Sequence, residues 1–406
     1  MAKNQQKITS ELWGWSRDFK LLALSSGLLS AGFAVYMTTF NNFIVEEIGI
    51  QPHQFGVLES IREIPGFLTV GLVAISIRFP AARLAGFLLI LTGIGVAAYF
   101  GVHSVGSLIL ASLVWSVGFH GWLPQRETLA LTLSDAHKGR RLGQLRSIDE
   151  SGFLLAMVLT FGFIGFVGFR WIFLAAGLAV ILGGFAIFPV RVPAAVTSED
   201  RFVVRREYLI YYLLTFFQGC RRQVFVIFAV FSMVFVHGAT TEHIIVLMFV
   251  STLLAVLAAP AVGRLIDSLG ERKILTAAYS MLILIFWGYS FIQNKWVLYA
   301  LYCVDRLLFL ASVSLSTYLN RIARTADLRP TISLGVTLNH VAAVTLPLVG
   351  GFLWDRFGYA LIFQIGSVVA VIILIIAQFI EPAETKLSTD GVEESFRTAP
   401  ADDHHR

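Results

Sequence analysis

The chain has 406 residues, of which 56% are hydrophobic and only 14% are charged, and its formal net charge is +5. A soluble domain carries about 25% charged residues, so this composition excludes a soluble globular protein and indicates an integral membrane protein. Because the basic residues lie mostly between apolar runs, we interpret the positive charge as a topology signal and expect no nucleic-acid partner.

Twelve apolar runs approach the roughly 20 residues that a helix needs to cross a bilayer. A membrane barrel would need short alternating strands instead, so we predict an all-α polytopic membrane protein. The amphipathic segment before the first run lacks the pattern of a cleaved signal peptide. The predicted spans are 19–42, 54–77, 84–101, 107–131, 144–166, 171–190, 208–236, 243–262, 274–292, 297–318, 332–353 and 359–380.

Lysine and arginine are concentrated in alternate loops. One set holds most of them, whereas the opposite set holds little more than Arg170, Lys295 and Arg356. By the positive-inside rule, both termini are predicted to be cytoplasmic. Compact loops and the lack of Asn-x-Ser/Thr sites in the outer loops favour a bacterial inner (plasma) membrane.

The two halves of the chain resemble each other at an offset of about 190 residues. Segment 165–173 corresponds to 350–363, and segment 46–58 corresponds to 235–247. Duplicated bundles of this kind are typical of parallel-repeat transporters. We predict a cytoplasmic N-terminal segment at 1–18, a six-helix bundle at 19–190, a cytoplasmic linker at 191–207, a second six-helix bundle at 208–381 and a disordered cytoplasmic tail at 382–406.

The loop between the eighth and ninth spans, AVGRLIDSLGERKIL, has a distinct pattern. We expect Gly263 to let the helix end pack closely and Asp267 to cap a facing helix. Gly270 suits a tight turn, and the adjacent Arg272 and Lys273 hold the loop in the cytoplasm.

This loop resembles the Gly-x-x-x-Asp-x-x-Gly-x-basic-basic motif of the major facilitator superfamily, and the resemblance covers nearly the whole chain from 19 to 382. It implies two six-helix bundles related by a pseudo-two-fold axis, a usually monomeric protein and a gating role for the five loop residues. Ser268 and Glu271 depart from the motif. The first-half counterpart keeps Gly71 but has Ile75 and Arg78 in place of Asp and Gly. The fifth span also lacks the Gly-Pro dipeptide of the drug/proton antiporter branch.

Arg221 and Arg222 lie in the middle of the seventh span, one turn after Gln218, and their own helix offers no acid. Arginine keeps its charge when buried and binds carboxylate or phosphate with two hydrogen bonds. We therefore predict that this pair binds an anionic group; the alternative is a permanent ion pair with an acid of another helix. The other candidate solute-binding residues are Asn41, Asn42, Trp122, Arg126, Gln218, Tyr302, Asn339 and His340.

Several acids lie well inside predicted spans and are candidates for proton coupling, because a carboxyl group in a partly dry cavity can exchange a proton near neutral pH. The structural alternative is neutralisation within a helix, by Arg62 in the second span and Arg146 in the fifth. The candidates are Glu59, Glu63, Asp149, Glu150 and Asp305.

These patterns predict a secondary transporter of a small polar solute, anionic or zwitterionic, that works by alternating access with protons as a candidate coupling ion. No Gly-x-x-x-x-Gly-Lys loop is present, so ATP-driven pumping is not expected. We expect no cofactor and no metal, and the partners are the solute and the lipid bilayer. The alternatives are a multidrug/proton exporter, a membrane-embedded enzyme, which the scattered histidines disfavour, and a non-transporting sensor.

Overall fold

The computed structural model describes residues 15–68, 79–133, 138–192 and 204–381. Within these ranges the chain is almost entirely helical and contains no strand, which confirms the predicted all-α class. Most of the predicted N-terminal segment and of the linker, the tail from 382, and the departures at Gly71, Ile75 and Arg78 lie outside the described residues.

Five helices form the first half of the molecule. They are α1 (Arg17–Glu46), α2 (Pro52–Phe67), α3 (Ala81–Ala97), which the 3-10 turn Ala98–Gly101 extends, α4 (Val105–Thr132) and α5 (Lys138–Ile187). Helix α5 contains a break at Gly168 and therefore covers both the fifth and the sixth predicted spans.

The second half follows the same order. Its helices are α6 (Leu209–Gln223), α7 (Val230–Phe235), α8 (Thr241–Leu269), α9 (Glu271–Phe291), α10 (Lys295–Leu308), α11 (Val313–Ile322), α12 (Thr325–Phe357) and α13 (Tyr359–Ala377). A π-helical segment, Val224–Ala229, joins α6 to α7. In the described ranges, ten helical segments are long and apolar enough to cross a membrane. Helix α5 covers two of the predicted spans and α2 covers the first part of the span 54–77, so the described helices are consistent with twelve spans.

Four glycines with positive φ mark equivalent points of the two halves. Gly168 (φ 75°) breaks α5, and Gly358 (φ 85°) separates α12 from α13. Gly49 (φ 67°) follows α1, and Gly238 (φ 61°) follows α7. The members of each pair are about 190 residues apart. Left-handed backbone strains residues with a side chain, so the same turn chemistry recurs in both halves.

Small residues bring helices of the first half into close contact. A Cβ on Gly93 of α3 would lie 2.6 Å from the carbonyl oxygen of Gly177 in α5, and a Cβ on Gly177 would lie 2.5 Å from that of Gly93. In lipid, helix association depends on such close packing. The backbones of α3 and α5 are therefore in direct contact.

The two halves meet along α2 and α12, which are antiparallel. A Cβ on Gly351 would lie 2.6 Å from the carbonyl oxygen of Pro52, so the backbones touch. His53 and Asp355 form an ion pair beside this contact. Near the end of α1, Asn42 donates a hydrogen bond to the carbonyl oxygen of Ala239 at 2.8 Å. The halves are thus closed at the end of the molecule that the sequence predicts to be the outer side.

Candidate functional site

Helix α2 carries three charged residues on one face, since Glu59, Arg62 and Glu63 are spaced i, i+3 and i+4. The Arg62 Nη2 atom lies 2.6 Å from Glu59 Oε2 and 3.0 Å from Glu63 Oε1. Its Nη1 atom donates to the Tyr36 hydroxyl of α1. One guanidinium group therefore contacts two carboxylates, in agreement with the pairing within one helix that the spacing allows.

The second carboxylate oxygen of Glu63 faces two histidines from different helices. Glu63 Oε2 lies 3.9 Å from Nε2 of His120 in α4 and 3.6 Å from Nδ1 of His340 in α12. The two imidazole rings are 5.5 Å apart between centroids. Gly66 provides the space, because a Cβ there would lie 2.5 Å from His340 Cε1 and 2.7 Å from His120 Nε2. This group, the Glu63–His120–His340 cluster, joins the two halves of the molecule.

Arg221 forms a buried ion pair with Asp305 of α10. The side chains are 2% and 0% exposed, and the Arg221 guanidinium also lies 5.5 Å from the centre of the Phe309 ring. This geometry corresponds to the permanent ion pair that the sequence left open for Arg221.

Arg222 has different surroundings although it is the next residue. Adjacent helical residues point about 100° apart, and the Arg222 side chain is exposed and lies within the electrostatic influence of Glu63 and Arg306. Because Glu63 belongs to the opposite half, Arg222 faces the interface between the halves. Neither Arg222 nor Arg306 has an ion-pair partner within 4.0 Å in the described part of the chain.

A central cavity of about 100 Å³ lies between the halves. Polar and charged side chains from both sides reach it, and the remaining lining is mainly aromatic and aliphatic. The polar residues of the first half are Tyr36, Asn41, Glu59 and Arg62, and those of the second half include Ser251, Thr252, Tyr302 and Arg306. These residues do not include Gln218, which accepts a hydrogen bond from Tyr279 at 3.0 Å, or Asn339, which lies against Gly219.

A larger cavity of about 490 Å³ lies within the first half. Arg126 of α4 pairs there with Asp149 of α5. Ser26 joins them, since its hydroxyl donates to Asp149 Oδ1 at 2.5 Å and accepts from Arg126 Nε at 2.9 Å. Trp122 is buried in its wall, and Glu150 lies 3.9 Å from the exposed Arg146.

The predicted site residues thus fall into separate groups. Asn41, Glu59 and Tyr302 line the central cavity; Trp122, Arg126, Asp149 and Glu150 line the cavity of the first half; and Asn42 lies at the closed end. The sequence missed His120 and Arg306 as site residues. Gly66 lies on the same helix face as Glu59 and Glu63, and a glycine there indicates that another helix approaches closely; this was the available signal for His120. Arg306 was missed because the adjacent Asp305 suggested a partner for it in the sequence.

The predicted gating loop differs from expectation at two positions. The expectation of close packing at Gly263 is wrong, because a Cβ there would meet no atom within 4 Å. Asp267 is exposed and caps no helix of the described ranges. Gly270 makes the expected turn with φ 81°. Arg272 donates to Gln378 Oε1 at 3.4 Å, and Lys273 is exposed.

Comparisons with known proteins agree with this architecture. The sequence matches the profile of the Major Facilitator Superfamily over residues 22–337. The fold is similar to that of the nucleoside transporter NupG, with TM-score 0.74 and 12% identity over 89% of this chain and 98% of that one. A bacterial homologue of the human lysosomal transporter Spinster gives TM-score 0.68 and 14% identity over 88% and 94% of the two chains.

A POT family transporter in complex with 5-aminolevulinic acid gives TM-score 0.70 and 12% identity, over 89% of this chain and 95% of that one. At these identities the likenesses show the fold alone. No curated protein sequence matches the chain.

Proposed function

The chain belongs to the major facilitator superfamily, and from this membership we propose that it is a secondary transporter that carries a small organic anion through the central cavity by alternating access. The observation that supports the anion most is the pair Arg222 and Arg306, which have no ion-pair partner within 4.0 Å among the described residues. An uncompensated charge at membrane depth is costly. A carboxylate or phosphate group would remove that cost.

The balance of charge around the cavity also favours an anion. The carboxylates of Glu59 and Glu63 lie within 4 Å of Arg62, and that of Asp305 pairs with Arg221. Three carboxylates (Glu59, Glu63 and Asp305) therefore face four guanidinium groups (Arg62, Arg221, Arg222 and Arg306), which leaves one positive charge in excess. This excess disfavours a cationic solute, which a multidrug exporter of cations would carry, and suits a solute with a net negative charge.

The proposed transport cycle uses both halves. Arg222 and Arg306 come from the second half, and Arg62 from the first, so a bound solute contacts groups that move relative to each other. The halves meet through α2 and α12 and through the His53–Asp355 pair. Breaking these contacts would open the cavity to the outer side. We further propose a monomer in a bacterial inner membrane with cytoplasmic termini.

A ligand screen by thermal unfolding in detergent tests the anion site. The panel contains mono- and dicarboxylates, sugar phosphates, nucleosides and quaternary ammonium ions. A ligand at 100 times its Kd stabilises the native state by about 2.7 kcal/mol. We expect a carboxylate or phosphate to raise the Tm of the wild type by a few degrees and to leave Arg222→Ala unchanged.

The matched control is Arg264→Ala, since Arg264 is exposed on α8, away from the central cavity. Its Tm shift should equal that of the wild type. Equal shifts in Arg222→Ala, or hits only among cations and nucleosides, would contradict the anion site.

For proton coupling we propose Glu63. Its carboxylate faces Arg62, His120, His340 and Arg222. Imidazole is the side chain that titrates near neutral pH. A proton on this group would weaken its attraction for Arg222 and so couple protonation to the freedom of the anion site.

The coupling proposal is tested with proteoliposomes that contain Glu63→Gln. We expect this variant to exchange labelled anion for unlabelled anion. Its uptake driven by a pH gradient should be at least about tenfold slower than that of the wild type. Glu47→Gln is the control, because Glu47 pairs with Arg170 at 2.7 Å at the closed end of the molecule rather than in the polar centre. Full gradient-driven uptake by Glu63→Gln would exclude Glu63 as the coupling group.

A further inference from the structure

We propose that the Glu63–His120–His340 cluster binds a divalent transition-metal ion, Zn²⁺ or an ion of similar chemistry, between the two halves of the molecule. One ligand atom from each residue lies within 4.8 Å of the other two. Two imidazoles and one carboxylate form a typical zinc ligand set that leaves one coordination position open. With metal–ligand bonds near 2.1 Å, tetrahedral ligand atoms are roughly 3.3 Å apart.

Two of the three separations are close to that value, and the third, between the two imidazole nitrogens, is within 4.8 Å. Glu63 Oε2 lies 3.6 Å from His340 Nδ1 and 3.9 Å from His120 Nε2. These distances are too long for hydrogen bonds, and His340 Nδ1 is a buried nitrogen without a hydrogen-bond partner among the described residues. Small rotations of the three side chains would bring these atoms to bonding distance of one ion.

The groups behind the ligand atoms also fit a metal site. His120 Nδ1 lies 3.0 Å from the carbonyl oxygen of Ser116. A carbonyl oxygen only accepts, so Nδ1 carries the hydrogen and Nε2 presents its lone pair to the cluster. Glu63 Oε1 accepts from Arg62, which leaves Oε2 for the ion. Metal-binding histidines commonly have such a donor contact on the second ring nitrogen.

The glycine at position 66 also fits a metal site. It lies against both imidazole rings, and any side chain at this position would displace them. Two positive groups, Arg62 and Arg222, also face Glu63, so a divalent ion must compete with them for the carboxylate. The site therefore suits an ion with strong preference for imidazole nitrogen over an ion such as Mg²⁺ or Ca²⁺.

A bound ion would connect α2 and α4 of the first half to α12 of the second half. It would hold the halves in the arrangement described above and prevent the separation that alternating access requires. Zn²⁺ is thus expected to stabilise this state and to block the transport cycle. The binding itself does not depend on the identity of the solute.

The test uses the full-length protein in detergent, without a polyhistidine tag and after removal of metals with a chelator. His404 and His405 near the C-terminus are replaced by alanine in every sample, because they could bind metal on their own. Zn²⁺ is titrated in competition with a chromogenic chelator. We expect one equivalent per chain, and binding at least about 100-fold weaker in Glu63→Gln and His340→Ala.

His103→Ala is the matched control, since His103 is an exposed loop histidine, and it should bind Zn²⁺ like the parent protein. X-ray absorption at the zinc edge of the parent protein gives a second measurement that needs no variant at the site. Two imidazole ligands are expected. The proposal is overturned if the parent protein binds no stoichiometric Zn²⁺, if both site variants bind it unchanged, or if the spectrum contains no imidazole.

Discussion

At the scale of single residues, Arg221 and Arg222 have different roles although they are neighbours. Arg221 is buried against Asp305, whereas Arg222 is exposed at the interface between the halves. Removing one partner of a buried ion pair leaves the other charge uncompensated, which typically costs about 3–5 kcal/mol, whereas replacing both partners with apolar residues is often neutral.

We therefore expect Arg221→Met to lower the free energy of unfolding by about 3–5 kcal/mol, and Arg221→Met combined with Asp305→Leu to recover most of the loss. Arg222→Met is the control and should leave stability unchanged or increased. The measurement is the midpoint of thermal or denaturant unfolding in detergent. A double variant as unstable as Arg221→Met would show that the pair is not the reason for the loss.

The sequence predicted part of this site correctly for a local reason. Glu59, Arg62 and Glu63 are close in the sequence, and helical spacing alone places them on one face. The sequence could not separate Arg221 from Arg222, because the position of Asp305 on another helix decides which of them forms the buried ion pair. It also could not find the contact of His120 and His340 with Glu63, since these residues lie on three helices from two halves.

At the scale of helices, Gly168 and Gly358 terminate straight segments at equivalent points of the repeat. Both have positive φ, and a Cβ on either residue would meet no atom within 4 Å, so the requirement for glycine is conformational rather than steric. The sequence predicted the turns from the internal repeat. It did not predict the π-helical segment Val224–Ala229, because that irregularity has no glycine or proline within it.

Gly358→Ala is expected to destabilise the protein by about 1–2 kcal/mol, the cost of a left-handed conformation in a residue with a Cβ. Gly165→Ala is the matched control, because Gly165 is helical and a Cβ there would also meet no atom within 4 Å. That control should be neutral or slightly stabilising. Unfolding midpoints of equal value for the two variants would contradict the conformational explanation.

At the scale of the whole molecule, two bundles share one polar centre. The all-α class followed from the apolar run lengths, and the equivalent turns of the two halves followed from the repeat. The sequence did not predict which end is closed, because closure depends on the close approach of α2 and α12 at Pro52 and Gly351. The corrected part is the loop between α8 and α9, where a Cβ on Gly263 would meet no atom within 4 Å and Asp267 is exposed.

Solute flux is the most direct test of the proposed transport function. Purified protein is reconstituted into liposomes, and uptake of the radiolabelled anion that gives the largest thermal shift is compared with that of protein-free liposomes. Wild-type protein is expected to catalyse saturable uptake. The uptake rate of Arg222→Ala should be at least about tenfold lower, and that of Arg264→Ala should equal the wild-type rate. Uptake by wild-type protein no faster than in protein-free liposomes, or equal uptake by Arg222→Ala, would contradict transport of an organic anion at this site.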